Sequence, residues 1–320
     1  MEYINNLAWP GLADYKIDLR GEDYGKPGDI HPNPNEPPVV IPDESCVIHY
    51  HPEYSYKIFN ALEEKYIENP KLKYILISSD GDCGLCYQDE HKVANDFKKA
   101  IYMFNVERLG YEDLHIATRC NKALCNINHK FSVRMYAYTY STFDRLPPNV
   151  VRLYAVNNDT DEDDKIVSIP FGVPDWFEDI AWRHYVDCFK IDKLQGRTYV
   201  AFQMNTTERH KIMHHFKTDD NYLVRKETVS HKQYVEDLLT CGTCLSPRGN
   251  GLDCYRNLEA LYLGVAPIIS PSRVLKAYQG LPYILNGEGA TTLSDCDYNN
   301  TRADFTYWRD RLNKDRINLL

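Results

Sequence analysis

Short apolar runs alternate along most of the chain with segments whose apolar residues recur at helical spacing. Helices are predicted at 54–66, 91–104, 175–189, 207–216, 231–239 and 253–263, and strands at 73–78, 114–117, 150–156, 165–169, 198–202, 222–224, 243–246 and 265–269. Strands that alternate with helices indicate βαβ units and therefore parallel sheets. We expect an α/β fold of two doubly wound, Rossmann-like domains that face a central cleft.

The same pattern suggests domain boundaries. Six prolines between residues 27 and 42 oppose helix formation, so residues 1–45 are predicted to form a Pro-rich extended arm. We place an N-terminal domain at 46–173, a hinge with a linker helix at 174–195 and a C-terminal domain at 196–300. Residues 301–320 are predicted to form a terminal helix that packs through Phe305, Trp308 and Leu312 and could return to the N-terminal domain.

The charge balance narrows the choice of partners. The 320 residues include 37 Lys and Arg against 46 Asp and Glu, a net charge of −9. This balance disfavours a protein whose main task is to grip DNA or RNA, although one basic cleft would be compatible with it. The sequence contains no apolar run long enough for a membrane span, and its first residues do not resemble a signal peptide. We therefore expect a cytoplasmic protein, located in the cytoplasm of a bacterium or of a virus-infected host cell. The oligomeric state stays open.

Two C-x-x-C pairs, Cys83–Cys86 and Cys241–Cys244, could bind zinc or act in redox chemistry. The pairs lie far apart in the sequence, unlike those of a zinc ribbon. We expect packed, reduced thiols and neither a bound metal nor a cofactor. Asp80-Gly-Asp82 matches the Asp-x-Asp pattern of some metal sites, but it lies in the N-terminal half of the chain and not in the C-terminal half.

The segment that most clearly suggests a ligand-binding site runs from Ser246 to Gly264. It is predicted to contain the end of a strand, a glycine-rich turn, a helix and a glycine that ends the helix. Gly249 and Gly251 would let the backbone approach a bulky ligand. Asp253 is predicted to cap the helix, and a helix N-terminus beside such a turn suits a phosphate. The turn's arginine can contact a diphosphate through two hydrogen bonds. Gly264 is predicted to end the helix.

Spacing alone leaves an alternative open. The segment could be a structural glycine turn followed by a helix in which Asp253, Arg256 and Glu259 form a ladder on one face. It is not a Walker A loop, because no Gly-Lys-Ser/Thr follows. It is not the dinucleotide fingerprint either, because the third glycine is missing.

The run Ser-Pro-Arg-Gly-Asn-Gly-Leu-Asp at 246–253, with Arg256, Glu259 and Gly264 behind it, resembles the sugar-nucleotide motif of exostosin-like glycosyltransferases. The segment from Tyr199 to Arg209 is similar to the first strand and loop of that family's C-terminal domain. The segments at 155–158 and 168–173 resemble the end of its N-terminal domain and its hinge. The resemblance covers roughly residues 150–270. The N-terminal half lacks the family's Thr-His-Asn-like tripeptide.

The resemblance implies a GT-B fold with a nucleotide-sugar donor bound by the C-terminal domain and no metal requirement. In that arrangement arginines neutralise the diphosphate, the glycine turn supplies backbone contacts, and Glu259 holds the ribose. The implied donor-binding residues are Asn205, Thr206, Arg209, Ser246, Arg248, Gly249, Asn250, Gly251, Asp253, Arg256 and Glu259.

An inverting transferase also needs a general base beside the acceptor hydroxyl. Asp82, Asp80 and His115 lie at or just after predicted strand ends, where doubly wound sheets place their sites. Asp80-Gly-Asp82 could equally be only a turn, and a retaining enzyme would need no such base.

The leading hypothesis is a glycosyltransferase whose acceptor is a glycan, a lipid-linked glycan, a protein or a hydroxymethylated DNA base, the last disfavoured by the net charge. A non-catalytic nucleotide- or glycan-binding module is the alternative, motivated by the divergent N-terminal half. A cysteine-based metal or redox protein is the third hypothesis, motivated by the C-x-x-C pairs alone.

Overall fold

The computed structural model describes residues 3–5, 8–18, 38–79, 81, 84–87, 140–143, 145–160, 163–185, 196–203, 207–249, 251–269, 272–287, 290–293 and 302–320. The chain divides into an N-terminal unit, Trp9–Ser168 with Leu312–Leu320, and a C-terminal unit, Ile169–Arg311 with Met1–Ala8. The predicted helix at 91–104 and the predicted strand at 114–117 lie outside the described residues.

The main sheet of the N-terminal unit has five parallel strands in the order β1-β2-β3-β6-β7. Its strands are β1 (Tyr15–Ile17), β2 (Cys46–Tyr50), β3 (Tyr74–Ser78), β6 (Val150–Ala155) and β7 (Ile166–Ser168), and a separate parallel pair joins β4 (Gly84–Tyr87) to β5 (Tyr140–Phe143). Every residue of β2 and β3 is buried, because parallel strands are covered on both faces and read as continuous apolar runs.

The predicted helix at 54–66 is confirmed as α2 (Ser55–Glu68), which follows the short helix α1 (Ala8–Gly11). The apolar face of α2, at Ile58, Phe59 and Leu62, packs into the core of the sheet. Its spacing of three and four residues explains why one helix face is buried.

The first 45 residues differ from the predicted extended arm where the structure describes them. They include α1, and β1 pairs in parallel with β2. The prolines that suggested an arm begin only at residue 27, so they place no restriction on the segment that forms the helix and the strand.

The sheet of the C-terminal unit has six strands in the order β13-β12-β11-β10-β8-β9. All neighbours are parallel except β13, which is antiparallel to β12. The strands are β8 (Thr198–Ala201), β9 (Tyr222–Arg225), β10 (Thr243–Leu245), β11 (Ala266–Ile269), β12 (Ile284–Gly287) and β13 (Ala290–Leu293). The helices are α3 (Asp175–Ala181), α4 (Thr207–His214), α5 (His231–Leu239), α6 (Arg256–Tyr262) and α7 (Phe305–Arg316). The α/β, Rossmann-like part of the predicted fold class is thereby confirmed.

The two units divide between Ser168 and Ile169, not within the predicted hinge at 174–195. Residues just after the division are fixed to the C-terminal unit, since the Phe171 N–H donates to Asp253 at 2.9 Å and the Val173 N–H donates to the Ile4 carbonyl at 2.8 Å. The predicted helix at 175–189 is shorter, because α3 gives way to a 3-10 turn at Trp182–His184.

The terminal helix α7 buries Phe305, Trp308 and Leu312, the packing face that the spacing predicted. Its last residues belong to the N-terminal unit. There the Asp315 carboxylate accepts hydrogen bonds from Arg152 at 3.0 Å and Tyr154 at 2.6 Å. Among the described helices, none combines the length and the apolar character that crossing a membrane requires.

Candidate functional site

The order of strands in the C-terminal sheet marks one crevice. Strand β8 comes first in the chain, β9 pairs on one side of it and β10 on the other. The connections after β8 and β10 therefore depart in opposite directions along the sheet. In doubly wound folds, ligands bind at the carboxyl ends of the strands at this switch point.

A cleft of about 700 Å³ lies at this point, within the range of small-molecule sites. Its aromatic wall includes Trp176, Tyr199, Phe202, Tyr234 and Tyr255. Its charged residues are the basic Arg209, Arg225, Lys226 and Arg256 and the acidic Glu227 and Glu259. Basic side chains thus outnumber acidic ones here, in a chain whose net charge is −9.

Arg209, predicted to neutralise a diphosphate, is buried and bound to backbone. Its guanidinium donates to the carbonyls of Arg248 at 3.0 Å, Pro247 at 3.1 Å and Gln203 at 3.2 Å. These bonds tie the loop after β10 to the end of β8. The geometry gives Arg209 a positioning role, with its charge partly satisfied by carbonyl dipoles.

Gly249 lies close against this guanidinium. A Cβ at this position would lie 3.1 Å from Nη2 of Arg209, closer than most such contacts. The glycine therefore permits close approach of the loop backbone, as the motif predicted, but to an arginine of the same unit.

Arg225 is also engaged. Its Nε and Nη2 donate to the two carboxylate oxygens of Asp237 at 2.7 and 2.8 Å, and Gln233 donates to the same carboxylate at 2.9 Å. Burial alone would raise the pKa of Asp237, but these hydrogen bonds hold that pKa below its usual value. The Arg225 charge is thus compensated within the unit.

Arg256 differs from the other two arginines. Among the described residues, no acceptor lies within hydrogen-bond distance of its buried Nε, and no carboxylate forms an ion pair with its guanidinium. Its Cζ lies 6.0 Å from the centroid of the Tyr234 ring. Burial opposes the charge, but Tyr234, two cysteines and Glu259 raise the pKa, so the group stays a cation. Glu259 acts on this guanidinium only from beyond ion-pair distance, so a ligand anion in direct contact would compensate the half-buried charge further.

Glu259 lies one helical turn further along α6 and is 4% exposed. Its Oε2 accepts a hydrogen bond from the Tyr234 hydroxyl at 2.6 Å. Burial raises the pKa of this carboxyl, and the charge of Arg256 counteracts part of that effect. Glu259 lines the cleft, so it is placed to accept hydroxyl groups of a ligand.

Asp253 does not cap the helix as predicted, because α6 begins at Arg256 and its first turn has no side-chain cap. The Asp253 carboxylate instead accepts from Phe171 N–H at 2.9 Å, Asn257 Nδ2 at 2.7 Å and the Tyr278 hydroxyl at 2.8 Å. Burial raises its pKa. Hydrogen bonds from these three donors replace the helix cap that the sequence predicted for Asp253. Through them Asp253 joins separate segments of the C-terminal unit.

Ser246 and the remaining motif residues support the loop. The Ser246 hydroxyl donates to Oδ1 of Asn257 at 2.6 Å, and both residues are buried. Arg248 and Gly251 lie on the same loop, outside the described lining of the cleft. Gly264 has a φ of 70°, which confirms the predicted helix stop in the left-handed region.

Six predicted site residues lie outside the described residues: Asp80, Asp82, His115, Asn205, Thr206 and Asn250. Their predicted roles stay predictions.

The comparisons with known proteins decide no family. No family model and no curated protein matches this chain. The resemblance to exostosin-like glycosyltransferases therefore rests on the motif residues themselves.

The cysteines of the second C-x-x-C pair, Cys241 and Cys244, are buried, and burial raises the pKa of both thiols. Within the described residues, no group of three or more His, Cys, Asp or Glu side chains could hold a metal ion. Cys83 and the side chain of Cys86 lie outside the description.

The N-terminal sheet also gathers polar groups at the carboxyl ends of its strands. His49 bonds to Ser79 at 2.9 Å, and Asn157, with a φ of 51°, donates to the Gly81 carbonyl at 3.0 Å. A Cβ on Gly81 would lie 2.6 Å from Nε2 of His51. The close approach explains the glycine between the two predicted catalytic aspartates.

The cleft residues that sequence reasoning missed include Tyr199, Tyr234 and Trp176, whose ring stacks on His231 at 3.8 Å. The sequence pattern places each of them only in a predicted strand or helix.

Proposed function

We propose that this chain is a glycosyltransferase of the GT-B type, which transfers a sugar from a nucleoside-diphosphate donor to an acceptor hydroxyl. The cleft between β8 and β10 would bind the donor. The observation that carries the proposal is Arg256, a cation facing this cleft with no ion-pair partner among the described residues. A diphosphate would supply the missing counter-charge.

The surroundings of Arg256 favour a nucleotide over a simple anion. The cleft, at about 700 Å³, is much larger than a phosphate and has several aromatic side chains along its wall. Glu259 provides a buried carboxylate for ligand hydroxyls. A nucleotide combines these features, since it brings phosphates, ribose hydroxyls and a planar base.

The chemistry follows from the charge that develops during transfer. When the bond between the sugar and the diphosphate breaks, negative charge grows on the leaving phosphate. A fixed guanidinium in a partly dehydrated cleft stabilises that charge without reorganising. Arg209 would contribute by holding the loop after β10 in place. These groups of the chain can act without a metal.

The acceptor would be a glycan, a lipid-linked glycan, a protein or a hydroxymethylated DNA base, and the net charge of −9 disfavours the last. We assign the acceptor side and the general base to the N-terminal unit, with Asp82, Asp80 and His115 as the candidates from sequence. A cytoplasmic site of action stays a prediction from sequence.

A screen of uridine-, guanosine- and thymidine-diphosphate sugars, scored by release of the nucleoside diphosphate, tests the proposal. Wild-type protein should hydrolyse at least one donor slowly. Arg256→Met should reduce the rate about 100-fold, because one fixed charge on the leaving group is lost. Arg183→Met, which changes an exposed arginine stacked on Trp182, should have no effect.

Tight nucleotide binding without any release would favour the non-catalytic module. Absence of both binding and release across the panel would contradict the proposal.

A further inference from the structure

Trp176 and His231 form a stacked pair of rings at the cleft. Both residues line it, and their ring centroids lie 3.8 Å apart, with the two planes 19° from parallel. Two buried rings, Phe177 and Tyr234, meet the indole at steep angles, with centroids 5.6 and 6.1 Å from its own. The buried rings hold Trp176 in place, and Trp176 in turn supports the imidazole of His231.

The face of the His231 ring opposite the indole, here called the outer face, is accessible. His231 is an exposed residue although Trp176 covers one face of its ring. Among the described residues, this imidazole makes no hydrogen bond, ion pair or second ring contact. Its accessible area therefore lies on the outer face and along the ring edge. A flat ring supported on one side and exposed on the other is a surface on which a planar group can stack.

The stacked pair and the cation of the cleft lie beside the same tyrosine. The centroid of the Tyr234 ring is 6.1 Å from that of Trp176 and 6.0 Å from Cζ of Arg256. The indole and the guanidinium are therefore no further apart than these two distances together, a separation of the order of one nucleotide. A ligand whose anion contacts Arg256 can thus place a planar group on the stacked pair.

We propose that the base of the nucleoside diphosphate stacks on the outer face of His231 while its phosphates contact Arg256. The base is then the third ring of a stack that begins at Trp176. This inference rests on the proposed function, because it takes the ligand to be a nucleotide, and it adds the position of the base. Every base has a flat face, so such a stack accepts pyrimidines and purines alike.

The test is calorimetric titration of wild-type protein, His231→Ala and His231→Phe with uridine and guanosine diphosphates. Inorganic pyrophosphate and ribose 5-phosphate are the comparison ligands, because neither has a base. We expect His231→Ala to raise the Kd for both nucleoside diphosphates about tenfold, the loss of one base stack. The Kd for the two ligands without a base should not change. His231→Phe keeps a flat ring beside the indole and should retain the wild-type affinity.

His215→Ala is the matched control, since His215 is also exposed but lies outside the described lining of the cleft. It should leave every Kd unchanged. His231 is the first residue of α5, where alanine is a good helix former. The melting temperature of His231→Ala without ligand should therefore stay close to that of wild-type protein, so that its loss of affinity reports the contact with the ligand.

Unchanged nucleoside-diphosphate affinity in His231→Ala, with wild-type binding intact, would overturn this inference and leave the proposed function standing. An equal loss of pyrophosphate affinity would also overturn it, because His231 would then contact the phosphates. The same holds if His231→Phe binds as weakly as His231→Ala, since a polar contact would then replace the stack. If wild-type protein bound neither nucleoside diphosphates nor pyrophosphate, the proposed function and the inference would both be wrong.

Discussion

Two arginines of the cleft should respond in opposite directions to the same substitution. Arg225 forms two hydrogen bonds to Asp237, whose side chain is 5% exposed. Arg256 has no ion-pair or hydrogen-bond partner among the described residues. Methionine keeps much of the apolar stem of arginine and removes its charge. The pair Arg225→Met and Arg256→Met therefore isolates the effect of the partner.

The magnitudes follow from what each change leaves behind. Arg225→Met strands a buried carboxylate, which costs up to about 3–5 kcal/mol when the pair is fully buried. The side chain of Arg225 is 37% exposed, so water compensates part of the loss and we expect about 2 kcal/mol of destabilisation. Arg256→Met removes a desolvated charge that has no direct ion pair, and the lost attraction to Glu259 offsets part of the gain. Its effect should lie between zero and a gain of about 1 kcal/mol.

Urea unfolding at neutral pH, followed by fluorescence, measures both free energies. The slope against urea concentration should be the same for the two variants, so that the midpoints report stability. A loss of stability in Arg256→Met as large as that in Arg225→Met would refute the reasoning, since Arg256 would then have a structural partner. Nucleotide protection against unfolding should disappear in Arg256→Met.

Three further changes test the packing and the charges of the two units. In thermal melts, Gly81→Ala should destabilise the N-terminal unit by about 2 kcal/mol, because the new Cβ would lie 2.6 Å from the ring of His51. The control Gly11→Ala should be nearly neutral in the same assay, because no atom lies within 4 Å of its Cβ. Asp253→Ala should cost about 3 kcal/mol in urea unfolding, because it leaves several buried donors unpaired. Burial raises the folded-state pKa of Glu259 above its ordinary value of 4.5. The contribution of Glu259 to the free energy of unfolding should therefore fall as the pH rises from about 4.5 towards the raised pKa. Glu259→Gln should remove that fall from the curve of stability against pH.

The sequence predicted the regular elements well where periodicity was strong. The helix at 231–239 matches α5 residue for residue, and the run at 73–78 matches β3 within one residue. The helix has a clear period and begins at the cap Ser230, and the strand is a short continuous apolar run with defined ends. Apolar pattern and local capping were sufficient for these elements.

The site was harder to predict, because side-chain roles depend on tertiary contacts. Arg209, Asp253 and Arg256 all fit a phosphate-binding motif by residue type. In the fold, Arg209 donates to backbone carbonyls and Asp253 accepts from buried donors. Among the described residues, only Arg256 of these three has no hydrogen-bond or ion-pair partner. No periodicity reports which arginine will meet a backbone carbonyl 39 residues away. The motif indicated the right loop, and the structure distinguishes the roles within it.

A crystal structure of the chain with a nucleoside diphosphate most directly tests the claim that this cleft is a donor site. The account predicts the phosphates at the switch point between β8 and β10, within hydrogen-bond distance of the Arg256 guanidinium, and a ribose hydroxyl on Glu259. Nucleotide bound elsewhere, with Arg256 still facing an empty cleft, would contradict it.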